Sequence, residues 1–172
     1  MRARLIVTYE CEKNCMGCCN KGWKYEPPRP ITHCKYEEIM ITGGEPLLFP
    51  DRVIDLVHWL RWRSTAKIFV YTAMVTDFIQ IADETDGMTL TLHTAEDARA
   101  FAAWTREDAS RKWLQRYKGS LRLNIFGEAF REPKFILIPM QFAVKLVEWI
   151  KDCPLPRGEV LLKLNNLWTR SV

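Results

Sequence analysis

Leu5-Ile6-Val7-Thr8-Tyr9-Glu10-Cys11-Glu12-Lys13-Asn14-Cys15-Met16-Gly17-Cys18 joins an unbroken apolar run to three cysteines spaced i, i+4 and i+7. The run reads as a strand over 2–8 buried on both faces, so the cysteine loop leaves the C-terminal end of a first strand. Three thiolates converging in one short loop suit a soft metal or an iron–sulfur cluster. A four-iron cube held by three local ligands keeps one iron open, and an open position is where chemistry takes place.

Working outward, a second strand-like run over 36–42 ends in Gly43-Gly44-Glu45-Pro46. Pro50 and Asp51 suit the first turn of a helix, and Val53, Leu56, Val57 and Leu60 recur at helical spacing up to about residue 63. Further strands are predicted over 67–72, 88–93 and 120–126. A short helix is expected over 75–85, and a charged helical region, broken once, over 95–117, with Thr94 as N-cap and Gly119 as stop. The tail reads as an apolar run from 135, a helix over 139–151, a break at Pro154 and a last strand over 160–164. Between the first two strands, Pro27-Pro28-Arg29-Pro30 leaves room for one or two helical turns. Trp23, Tyr25 and His33 there read as cover for the core edge or as lining of a site.

Strand–helix alternation predicts an α/β fold with a parallel sheet and right-handed crossovers. Five or six strands are too few for a full eight-stranded barrel. The strand ends bearing the cysteines, the Gly-Gly-Glu-Pro turn, Thr72 and His93 gather on the C-terminal face, where ligands of α/β proteins bind. Strands four and five alternate: Thr89, Thr91 and His93 share one face, as do Arg122 and Asn124. Either this polar row points into a barrel that holds a polar cofactor, or it is the wet face of a half-exposed strand.

With 172 residues the chain reads as one domain, 1–172, of ordinary globular composition at 48% hydrophobic and 27% charged. No apolar run approaches membrane-spanning length, and no signal-peptide pattern is read at the N-terminus. A net charge of +4 permits an anionic partner without demanding one, and nothing indicates nucleic acid. Three cysteines packed into eight residues fit a cytoplasmic metal site better than a disulfide scaffold. Cys19 reads as a spare, buried thiol.

The C-x3-C-x2-C loop after the first strand and Gly43-Gly44-Glu45 after the second, in that order, resemble the radical S-adenosylmethionine (SAM) superfamily. The resemblance implies a partial (β/α)6 TIM-like barrel. It implies a 4Fe–4S cluster ligated by Cys11, Cys15 and Cys18, with the amino and carboxylate groups of SAM on the fourth iron. A one-electron reductant of flavodoxin or ferredoxin type then drives SAM cleavage to methionine and a 5′-deoxyadenosyl radical, which abstracts hydrogen from a substrate. SAM contacts are implied by motif at Gly43, Gly44, Glu45 and Pro46. They are implied by position at Thr72, Thr91, His93, Arg122 and Asn124, where Arg122 is a candidate partner for the SAM carboxylate. No side chain is assigned as a catalytic acid or base. The superfamily often places an aromatic residue before the third cysteine, against adenine; here it is Gly17, so adenine falls to backbone or to another ring. Gly17 and Cys18-Cys19-Asn20 are similar to the small activases of anaerobic ribonucleotide reductase, a glycyl-radical enzyme, although His93-Thr94-Ala95-Glu96 departs from their pattern. Too little chain follows the fifth strand to close a cavity, so the expected lid is a macromolecule, either a protein or peptide substrate or a partner subunit. The alternative from another class is a non-catalytic four-cysteine zinc knot of Cys11, Cys15, Cys18 and Cys34.

Overall fold

The computed structural model describes residues 1–13, 15, 17–20, 29–31, 35–130, 138–150 and 153–170. The readings placed on Trp23, Tyr25, His33, Cys34, Pro27, Pro28 and the start of the apolar run at Phe135 lie outside them.

The architecture is α/β, with one sheet of eight strands whose pairings are all parallel. In chain order these are β1 (Arg2–Thr8), β2 (Arg29–Pro30), β3 (Glu38–Gly43), β4 (Lys67–Thr72), β5 (Gly87–Leu92), β6 (Ser120–Phe126), β7 (Phe142–Val147) and β8 (Glu159–Lys163). In space the order is β2-β8-β1-β3-β4-β5-β6-β7. Six strands therefore lie side by side in chain order apart from the outlying β2, and the sheet is open, ending in β2 and β7. Pro30 sits in the outermost strand, where a missing N–H breaks no ladder.

Among the described residues, four α-helices lie between the strands from β3 to β6: α1 (Pro50–Arg63), α2 (Phe78–Glu84), α3 (Ala95–Trp104) and α4 (Asp108–Arg116). The first has Pro50 in its opening turn with Asp51, and Arg61 and Arg63 in its last, which suits the helix dipole. The third begins with a reciprocal cap: Asp97 N–H donates to Thr94 Oγ1, and Asp97 accepts from Thr94 N–H.

One parity of every central strand feeds the core. Leu5 and Val7, Ile39 and Ile41, Ile68 and Val70, Met88 and Leu90, and Leu121 and Leu123 pack with Val57 and Leu60, Phe78, Phe101 and Trp113. Each large apolar side chain fully buried there contributes about 1.5–3 kcal/mol. The other parity carries Arg4, Thr42, Tyr71, Thr91, Asn124 and Phe126, all of which line a cavity. Of the alternating polar residues, Thr91, His93 and Asn124 line this cavity, whereas Thr89 is buried and Arg122 is exposed, so each reading of the two strands holds in part.

Two expectations need correction. Residues 142–147 form strand β7 and not part of a helix over 139–151. Phe142, Leu146, Trp149 and Ile150 fall at near-helical spacing, but Phe142, Val144 and Leu146 also alternate. The open edge of β6 supplies hydrogen bonds that a helix could not use there. Cys19 is not a spare thiol: it is disulfide-bonded to Cys153 across 134 residues of sequence. Among the described residues no helix is long and apolar enough to cross a membrane.

Candidate functional site

The site is built where β1 and β3 end. Gly44 N–H donates to Thr8 O at 2.7 Å and Glu45 N–H to Glu10 O at 2.8 Å, so the glycine turn is zipped onto the stem of the cysteine loop. Gly43 has φ +124°, and a β-carbon there would meet Thr8 O at 2.4 Å. One on Gly44 would lie 1.9 Å from Glu10 O. The glycines are required because two backbones touch. On the outside, Arg170 holds the same loop, its backbone N–H donating to Glu10 and its guanidinium to Glu12.

Glu45 is only 3% exposed. Its Oε1 accepts from Leu47 N–H at 3.0 Å and Thr72 Oγ1–H at 2.7 Å, and its Oε2 accepts from Ala73 N–H at 2.8 Å. It caps the 3-10 turn Pro46–Leu48 and ties the end of β3 to the end of β4. Burial raises its pKa, and the three donors pull the other way without cancelling that rise.

Cys11, Cys15 and Cys18 are free thiols on one wall of a cavity of about 310 Å3, at the small end of the range for ligand sites. Burial pushes the Cys15 thiol up to about 11, and the charges of Cys18 and Cys11 add to it. Cys11 is raised by burial, with Glu45 and Cys18 adding to the rise against the Lys13 N–H and ammonium. Burial thus disfavours the thiolate form of both Cys11 and Cys15. Among the described residues no three His, Cys, Asp or Glu side chains are gathered at single-ion spacing. The three free thiols on this cavity are the donor type that an iron–sulfur cluster takes.

Across the cavity stand Gly43, Gly44, Glu45, Thr72, Thr91, His93 and Asn124, together with the cysteines. These are the residues that sequence placed in one site. Two do not join them: Pro46 is buried in its 3-10 turn, and Arg122 lies exposed on β6 with its guanidinium 5.2 Å over the Phe69 ring. The chain matches no protein-family model and no curated protein.

Three neighbours were not legible. Lys13 reaches from the cysteine loop to Asp97 Oδ1 at 2.5 Å, and Asp97 Oδ2 also accepts from His93 N–H at 2.8 Å. Burial opposes ionisation of Asp97, but the His93 and Lys13 groups outweigh it and hold the carboxyl below the usual range. Arg4 lines the cavity beside Tyr71 while paired with Glu159. Trp149 is the third: a β-carbon on Gly17 would meet its ring at 2.5 Å. Its ring stacks on Phe126 at 4.0 Å and lies nearly parallel to His93 at 5.5 Å. Gly17 was the signal, since a glycine beside Cys18 leaves room for a ring from elsewhere. Within this ring group His93 Nδ1 is buried, with no hydrogen-bond partner, 3.7 Å from Asp97 Oδ2.

Proposed function

We propose that this chain is a radical SAM enzyme: Cys11, Cys15 and Cys18 hold a 4Fe–4S cluster, and SAM lies against Gly43-Gly44 and the polar row of Thr91 and Asn124. The observation that carries the reading is that three free thiols share one cavity with the Gly-Gly-Glu turn, at the C-terminal ends of adjacent parallel strands. When bound, the cluster and SAM supply one-electron cleavage of SAM to methionine and a 5′-deoxyadenosyl radical.

The protein's own part is positioning and shielding. Glu45 uses its carboxylate to hold the turn, leaving the backbone of Gly43 and Gly44 for the methionine end of SAM. Lys13 and Asp97 hold the loop that carries the thiols. Trp149, Phe126 and His93 offer flat apolar surface for the adenine that Gly17 leaves uncontacted. On this reading the open run of strands β1, β3, β4, β5, β6 and β7 stands in for the partial (β/α)6 barrel.

The substrate class we propose is protein or peptide, with a flavodoxin- or ferredoxin-type reductant and a cytoplasmic setting. Edge strand β7 leaves Val144 and Leu146 47% and 70% exposed, flanked by Met140 and Ile150 at 98% and 65%. Such an edge accepts another chain.

Anaerobic reconstitution tests the reading: about four irons and four sulfides per chain, and release of 5′-deoxyadenosine from SAM on reduction. Stoichiometric zinc without iron, or metal lost on Cys34→Ala, would replace it by the zinc knot.

A further inference from the structure

We propose that the free edge of β7 takes an extended peptide that carries an acidic residue opposite Lys145 and an apolar residue on either side of it. The inference rests on the protein or peptide substrate class proposed above and names the sequence pattern of such a substrate; it does not depend on the cluster.

Among the described residues β7 pairs with β6 alone, so its outer backbone groups are open to another strand. On the helix face its row begins inside the core, where Phe142 packs against Phe78 and Phe101. The same row then leaves the core, and Val144 and Leu146 are exposed. On the cavity face the register sets Ala143 beside Arg122 and Lys145 beside Asn124. There β6 and β7 place two cations, Arg122 and Lys145, and no acid. Lys145 is exposed and has no ion-pair partner among the described residues. Arg122 lies over Phe69 and adds to the positive field of this face. Glu148, the next acid in the chain, comes after β7 has ended.

Directly opposed residues of neighbouring strands share a face, so the pattern on β7 dictates the pattern on its partner. Residues of the added strand beside Val144 and Leu146 gain from being apolar. The one between them, on the other face, meets the Lys145 ammonium. A lysine in an edge strand discourages pairing with strands at large; opposite a carboxylate it selects. The edge also asks for backbone donors and acceptors, which an extended peptide supplies and a nucleic acid does not, so the anionic partner that fits is a peptide. Two positions from the acid, about 7 Å along the strand, the partner's residue stands beside Val147, which lines the cavity of the three thiols. The residue presented to the site is therefore the second from the acid.

The test uses the full chain without iron or SAM and the fluorescein-labelled octapeptide Thr-Val-Thr-Val-Glu-Val-Thr-Val, read by fluorescence anisotropy. This peptide should bind about tenfold more tightly than its counterpart with Lys for Glu, with the Gln version between them. Lys145→Glu should reverse that order while far-ultraviolet circular dichroism stays unchanged. Ser in place of each Val of the peptide should abolish binding. N-methylation of alternate peptide amides should abolish it in one frame and spare it in the other, because only one set of amides faces β7. An order that Lys145→Glu leaves intact, tolerance of both N-methyl frames, or no binding at millimolar peptide would overturn the proposal. So would a dimer, seen by light scattering, that shuts the peptide out, or displacement of the peptide by an oligothymidylate and not by unlabelled peptide. None of these readouts involves iron or SAM, so failure here leaves the radical reading standing, and failure of that reading leaves these results unchanged.

Discussion

Lys13, between the first two thiols of the cysteine loop, forms an ion pair with Asp97, whose side chain is fully buried at the first turn of α3. The loop is therefore anchored to the far side of the site, where β5 ends.

Asp97→Ala removes the acceptor for Lys13 Nζ–H and for the His93 and Thr94 N–H groups, and the loss should be about 2–4 kcal/mol in denaturant unfolding. Because the folded pKa of Asp97 is depressed, its contribution is present above the unfolded value and disappears as pH falls through the folded one. The stability difference between parent and variant should thus be flat from pH 7 to about pH 5 and shrink in stronger acid. A difference that grows on acidification would contradict this arrangement.

Glu45 behaves in the opposite sense. Its raised pKa means that its contribution is greatest below the unfolded value and diminishes as pH rises through the folded one. Glu45→Gln removes that dependence but sets an amide against Ala73 N–H or Thr72 Oγ1–H. A loss of roughly 1–3 kcal/mol near neutral pH is expected from equilibrium unfolding.

Gly44→Ala places a methyl group against Glu10 O, a backbone atom that cannot rotate away. We expect about 1–3 kcal/mol of destabilisation. Iron retention should fall together with SAM binding, because the displaced backbone belongs to the cysteine loop. Weaker SAM binding with full iron content would mean that the turn touches SAM alone.

Gly17→Ala meets a side chain and not backbone, so Trp149 can shift and folding should change little. If Trp149 shields the adenine end, Gly17→Ala and Trp149→Ala should both weaken SAM binding by equilibrium dialysis while iron content stays at the parent level. Unchanged affinity in both would remove Trp149 from the site.

The sequence by itself determined the strand–helix alternation through β6, the cap at Thr94 and the site-facing ends of β1, β3 and β4. These rest on local periodicity, on turn chemistry and on a three-cysteine spacing contained within a few residues. It also marked Gly17 as a vacancy without saying what fills it. Tertiary structure decided the rest. Residues 142–147 are compatible with helix or strand, and the unpaired edge of β6 selects the strand. Cys19 and Cys153, Gly17 and Trp149, and Lys13 and Asp97 are each brought together across 84 or more residues by the order of strands in the sheet. No local pattern encodes such meetings, because a side chain's own neighbours in sequence carry no record of which strand end will face it.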